Sequence, residues 1–310
     1  MTPGHVHPGP AGGPGLLFAA AALLAVVAYL SAAARLRHRG DAWPWRRDAS
    51  FAIGGVVLAL AFPVPLPGGP FTAHTLHHLL TGMAAPLLLV LARPLTLVLR
   101  ALPPGSARRG LLAVAHSRPA ALLALPSVAA LLDFGGLWLV HRTPLFAATQ
   151  HHPLLQAVVQ VHVVAAGLLF AFAVCRLDPV RRGGGGLAGR GAVLLAGGTA
   201  HAVLAKGLYA DGPPGTAFSP ADLHAGARLM YYGGDLVELA LALVLAVQWY
   251  ASAGRTWARR SRPRPARDPV AGDGSGGDPG DGGGAECRTA SVPPRRLTRC
   301  VPDRRRSGPP

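Results

Sequence analysis

Cysteine, lysine and acidic residues are all scarce in this 310-residue chain. Three cysteines, Cys175, Cys287 and Cys300, include no C-x-x-C pair, so neither a disulfide framework nor a thiolate metal clamp is indicated. Lys206 is the only lysine, and 14 acidic residues face 30 basic ones. Charged residues make up 14% of the chain and aromatic residues 6%, too few of either for the interleaved basic and aromatic surface of a nucleic-acid reader. No H-E-x-x-H stands in the histidine-rich stretches, which excludes a zinc-protease reading, and the acidic Gly/Asp run near the C-terminus lacks the spacing of a calcium loop. No internal repeat is present.

What the chain has in excess is apolar length. Half of the residues are apolar and the mean hydropathy is +0.34, the composition of a polytopic membrane protein. Runs near 20 residues, the length a helix needs to cross about 30 Å of hydrocarbon, recur along it. Seven are expected, at 15–34, 50–66, 78–100, 120–140, 153–175, 191–209 and 229–250. The fold class is therefore all-α, a polytopic membrane protein built as a seven-transmembrane helix bundle. Pro86, Pro94 and Pro126 fall inside these spans and are expected to bend them. Glycine pairs at 54–55, 135–136 and 197–198 suit close helix approach.

The arginines orient the bundle. Arg35, Arg37, Arg39, Arg46 and Arg47 follow the first span; Arg93, Arg100, Arg108, Arg109 and Arg118 follow the third; Arg176, Arg181, Arg182 and Arg190 follow the fifth. The alternate loops carry only Arg142 and Arg228. By the positive-inside rule this gives a multi-pass bacterial plasma-membrane protein with an extracytoplasmic N-terminus and a cytoplasmic C-terminus. Residues 1–14 form a short extracytoplasmic segment and 15–254 the membrane domain. Residues 255–310, rich in Arg, Pro, Gly and Asp, read as a disordered cytoplasmic tail whose arginines can meet membrane lipids.

Thirteen histidines are distributed unevenly, and under this topology only His38 and His116 lie on the cytoplasmic side. In FTAHTLHHLLTGMAAPLLLVLARPL, residues 71–95, His74, His77 and His78 sit immediately ahead of an apolar run. Spacings of three and four place His74 with His77 and with His78 on one helix face, where imidazoles can share an ion or simply hydrogen-bond at a helix start. His141, His151, His152 and His162 occupy HRTPLFAATQHHPLLQAVVQVH, and a histidine as deep as His162 needs a partner, either an interhelical bond or an ion. His201 and Lys206 lie in the sixth span. Asp235 and Glu238, three apart in the seventh, suit an ion or proton site or interhelical glue, and Asp133 is also within the membrane. Asp222 and His224 stand near the entry to the last span. Met83 and Met230 offer soft thioethers beside the histidines, or plain packing.

Three of these stretches, FTAHTLHHLLTGMAAPLLLVLARPL, HRTPLFAATQHHPLLQAVVQVH and ADLHAGARLMY at 221–231, resemble the cytochrome c oxidase assembly factors of the CtaG type. The resemblance covers about residues 15–250. His74 and His78 match the family's first histidine pair, with Thr75 where the family places methionine. His141, His152 and His162 match its later histidines. Asp222 is kept, while Leu223 replaces glutamine. The resemblance implies a non-enzymatic assembly factor that supplies copper to haem-copper oxidase, with cytochrome c oxidase subunit I or other oxidase subunits as partners and no nucleic acid. It also implies a metal site drawn from His74, His78, His141, His152, His162 and His224, with His77, His151, His201, Asp222, Asp235, Glu238, Met83 and Met230 as auxiliary positions. The alternatives are an ion transporter or channel using His162, His201, Lys206, Asp235 and Glu238, and a metal-free structural partner of a respiratory complex.

Overall fold

The computed structural model describes residues 13–178 and 186–260; the expected N-terminal segment and nearly all of the expected tail, including Cys287 and Cys300, lie outside the described residues. Among the described residues every regular element is helical. The elements are α1 Gly13–His38, α2 Trp45–Ala61, α3 Pro70–His78, a π-helical segment Leu79–Ala84, α4 Ala85–Leu91, α5 Pro94–Ala101, α6 Ser106–Ala115, α7 Arg118–Leu123, α8 Pro126–Arg142, α9 Leu145–His151, α10 Pro153–Cys175, α11 Leu187–Ala210 and α12 Pro220–Arg260.

Five stretches are long and apolar enough to cross a membrane: 15–38, 70–91, 153–175, 187–210 and 220–254. The other two expected spans correspond to α2 and α8, of 17 residues each. Each is about 26 Å long at 1.5 Å per residue, at the short end of what crosses hydrocarbon. α12 has 41 residues and continues to Arg260, beyond the expected end of the membrane domain at 254.

Proline placement corrects the expected register. Pro94 and Pro126 open α5 and α8, where a missing N–H costs nothing, so they bound helices and do not bend them. The third span accordingly ends at Leu91 and begins at Pro70, eight residues before the expected start. HTLHH thus lies inside the helix and not ahead of it.

Pro86 alone keeps an interior position, and its consequence is local. It cannot donate to the Gly82 carbonyl, the acceptor four residues back. The ladder instead widens, with the Ala85 N–H bonded to the Leu80 carbonyl five residues back. The released Gly82 carbonyl lies directly against Gly167 of α10, where any Cβ would collide with it. Thr81 adds to the distortion by donating its hydroxyl to the His77 carbonyl at 2.8 Å.

The bundle is apolar outside and close-packed within. α1 buries Ala19, Ala22, Val26, Tyr29, Ala33 and Leu36, an alternating three-four spacing that gives one stripe toward α2, and leaves Leu16, Leu17, Leu24 and Val27 outward. Tyr29 stacks on Phe51 and donates its hydroxyl to the Ala92 carbonyl at 2.9 Å, satisfying an acceptor at the end of α4. A cluster of Phe71, Leu137, Leu204, Leu208 and Met230 packs the end of the bundle that carries most histidines. A second, including Phe134, Phe170, Val174, Leu194 and Leu241, fills the other half.

The Gly82–Gly167 approach is testable. Gly167→Ala should lower stability in detergent by about 1–3 kcal/mol, an overpacking cost. Gly135→Ala, whose Cβ would meet only the Leu131 side chain at 3.5 Å, should leave the unfolding midpoint within about 0.5 kcal/mol of the parent.

Candidate histidine site

The histidine-bearing segment is set in place by a residue far away in sequence. Asp222, on the first turn of α12, accepts the backbone N–H of Phe71 at 2.8 Å and of Thr72 at 3.0 Å, and the Thr72 hydroxyl at 2.7 Å. It thereby satisfies orphan donors at the start of α3, the work of an N-cap done across 150 positions of chain. Gly69 packs against the same carboxylate with no room for a Cβ. Asp222 acts on the site as a support for α3.

From that start, α3 turns His74 and His78 inward on one face. His74 Nε2 lies 3.3 Å from His141 Nε2 on α8. His141 is 3% exposed, and its Nδ1 donates to the Leu137 carbonyl at 3.0 Å. In the neutral ring this leaves a lone pair on Nε2, directed at His74. Phe146 of α9 closes the pair from the side, its ring edge-on to His74 at 4.5 Å between centroids and 5.6 Å from His141.

One turn further along α3, His78 faces His201 of α11 with 6.2 Å between ring centroids. Both are buried, and the Nε2 of each has no hydrogen-bond partner. His201 Nδ1 stands 3.4 Å from Glu238 Oε1 on α12. Space for this contact comes from glycine: the His201 ring lies against Gly234 and the Glu238 carboxylate against Gly198, where side chains would overlap them. Asp133 of α8 is within electrostatic reach of Glu238. The four imidazoles and two carboxylates form a polar column inside an otherwise apolar bundle.

The other expected positions are engaged elsewhere. His162 Nε2 meets the Leu132 carbonyl at 3.1 Å, a bond between α10 and α8, with its ring against Gly136. His151 and His152 are exposed at the α9–α10 junction. His224 stacks on Tyr209 at 4.1 Å, and His77 meets the Phe62 ring edge-on at 5.3 Å. Met230 is buried in the apolar cluster, Met83 sits half-buried in the π-helical segment, and Asp235 is exposed. Lys206 lies over the Tyr231 ring at 5.3 Å and is exposed, while Glu238 faces His201.

Chemically, two neutral imidazoles with facing Nε2 atoms share one proton or one cation. For an ion bound at about 2.0–2.1 Å, two nitrogens at tetrahedral positions stand roughly 3.3–3.4 Å apart, which the His74–His141 separation fits. Among the described residues, no three His, Cys, Asp or Glu side chains converge as a ligand group. The pair therefore offers two ligands and leaves other positions open. Sequence spacing pointed to the four-residue step on α3 but could not show its partners, which lie 67 and 123 positions away. Phe146 and the Leu137 carbonyl carry no sequence signal of their own.

Residues 27–252 match the profile of a family described as cytochrome c oxidase caa3 assembly factor. Over 172 residues the chain is 32% identical to an uncharacterized protein of Mycobacterium bovis, covering 53% of this chain and 26% of that protein. The same figures hold for an uncharacterized protein of Mycobacterium tuberculosis. An uncharacterized protein of Mycobacterium leprae is 27% identical over 267 residues, which is 79% of this chain and 40% of that relative. The chain thus spans between 26% and 40% of the length of these relatives. No solved structure matches it significantly.

The support role of Asp222 makes a direct prediction. Asp222→Ala should destabilise the protein by about 1–2 kcal/mol, a lost cap. Amide exchange should quicken at residues 71–74 before it does at α10, whereas His224→Ala, two positions along, should leave exchange in α3 unchanged.

Proposed function

This chain belongs to the cytochrome c oxidase caa3 assembly factor family, and we propose that it serves oxidase assembly by receiving copper at the His74–His141 pair and presenting it to an oxidase subunit within the bilayer. The observation that carries this reading is the 3.3 Å approach of two Nε2 atoms from different spans, one with its tautomer fixed by Leu137. A pair of open imidazole ligands suits an ion that must leave again, because a closed structural site would hold it. His78 and His201, one turn deeper and each with an unpartnered Nε2, supply the next station, and Glu238 orients His201 from behind.

The arrangement in the membrane follows from the same reading. Seven crossings, using α2 and α8 as the two short ones, place the histidine end outside and the arginine-rich end in the cytoplasm. Copper then enters from the extracytoplasmic side, and the apolar lateral surface meets the partner subunit. The role is one of transfer and not of catalysis.

Copper retention checks the proposal. Intact protein loaded with Cu(I) under reducing conditions, then challenged with a chelator, should keep copper that His74→Ala/His141→Ala loses while its melting curve stays cooperative. Glu238→Gln should weaken retention by about tenfold or more, as loss of a supporting carboxylate does at metal sites. His224→Ala should behave as the parent. Equal retention in parent and double variant would overturn the assignment of this pair.

A further inference from the structure

The end of the bundle opposite the histidines encloses a cavity of about 1270 Å³, larger than the roughly 300–1,000 Å³ usual for small-molecule sites. Arg46, Arg47, Arg93, Arg176 and Arg190 line it with a single carboxylate, Asp178. That carboxylate is already engaged, its Oδ1 accepting the Thr96 N–H at 2.8 Å and the Thr96 hydroxyl. Basic residues elsewhere at this end are matched one to one: Arg37 pairs with Asp48, and Arg100 with Asp41 at 3.1 Å. The cavity thus concentrates positive charge that the protein leaves largely uncompensated.

Backbone geometry marks the same place. Arg93 and Arg176 are the two non-glycine residues with positive φ, 56° and 44°. They end α4 and α10, positions where glycine is the ordinary choice, and both line the cavity. Side chains kept at left-handed positions despite the strain mark a site where the side chain itself is needed. Arg190, 9% exposed, donates to the Val174 carbonyl at 2.7 Å and to Gln248 Oε1 at 3.0 Å, yet its Nε has no partner.

The remaining wall identifies the kind of anion. Leu243 and Val247 of α12 line the cavity and are also 63% and 61% exposed on the outer surface of the bundle, so the cavity is continuous with the lipid-facing side. Phe172 lines it as well. Trp43, beneath the Arg47 guanidinium at 4.5 Å, sets the depth at the interfacial region where tryptophan gathers. A soluble phosphate compound has no use for an apolar lateral opening. A phospholipid needs both the charge and the opening.

We propose that this cavity binds an anionic phospholipid of the leaflet it faces, with the phosphate held by Arg47, Arg93 and Arg176 and an acyl chain laid along Leu243 and Val247. The full-length protein, delipidated in detergent and supplied with phosphatidylglycerol or phosphatidylcholine, should retain about one phosphatidylglycerol per chain in native mass spectrometry and little phosphatidylcholine. Arg47→Gln/Arg93→Gln should bind phosphatidylglycerol about thirtyfold more weakly, each arginine contributing about fivefold near an anionic headgroup. Arg108→Gln/Arg109→Gln, outside the cavity, should bind as the parent. The single variant Arg46→Gln, at an exposed position, should weaken binding by about fivefold and so give a reading even if the double variant fails to fold. Equal retention of the two lipids, or parent-like binding by both cavity variants, would overturn the proposal. Displacement of phosphatidylglycerol by millimolar inorganic phosphate would also overturn it, in favour of a soluble phosphate-bearing ligand.

Discussion

A polar group inside the bilayer has no water to fall back on, and the span from Pro70 to Leu91 is organised by that single constraint. Its first N–H groups are met by Asp222 from the far end of the sequence. Its proline-released carbonyl at Gly82 is shielded by Gly167, which lets α10 approach closely. With the start capped and the middle widened, the inward face of α3 is fixed, and His74 and His78 meet His141 and His201. The helices that carry those partners are held in turn by apolar clusters around Phe71 and Phe134. Thus the histidine column depends on backbone satisfaction first and on side-chain chemistry second.

The two ends of the bundle divide the polar chemistry. One holds neutral imidazoles with open nitrogen lone pairs, the other a surplus of guanidinium groups over carboxylates. Neither arrangement is a stabilising device in itself, since unpartnered buried nitrogen atoms and uncompensated cations both cost free energy. Such costs are retained where a ligand offsets them. Apolar residues on the outer faces of α1, α10 and α12 separate the two ends and give the chain its attachment to the membrane.

Much of the fold was readable in advance because hydropathy and charge act locally. The five long apolar helices and the two short ones fall where apolar runs were expected, and the family match agrees with the resemblance carried by the histidine stretches. Register was harder. Proline reads alike whether it begins a helix or interrupts one, and only the observed helix starts at Pro94 and Pro126 separate these cases. Pairing was invisible, because His74 and His141 share no local pattern. Asp222 illustrates the limit best: an acidic residue beside His224 suggests a ligand by composition, and the structure employs it to cap a helix two spans away. His162 likewise finds a carbonyl at 3.1 Å in place of the other histidines.

The π-helical segment has one more consequence. It holds one residue more than an α-helix would need over the same rise, and that surplus sets the rotation between the histidine-bearing start of the span and its Pro86 end. Each residue of an α-helix advances the helix by about 100°. Loss of any one codon between positions 79 and 84 would restore a regular helix and swing His74 away from His141 by about that angle. Every histidine would still be encoded, yet the site would be gone, so among relatives the length of this segment is as informative as the residues that flank it.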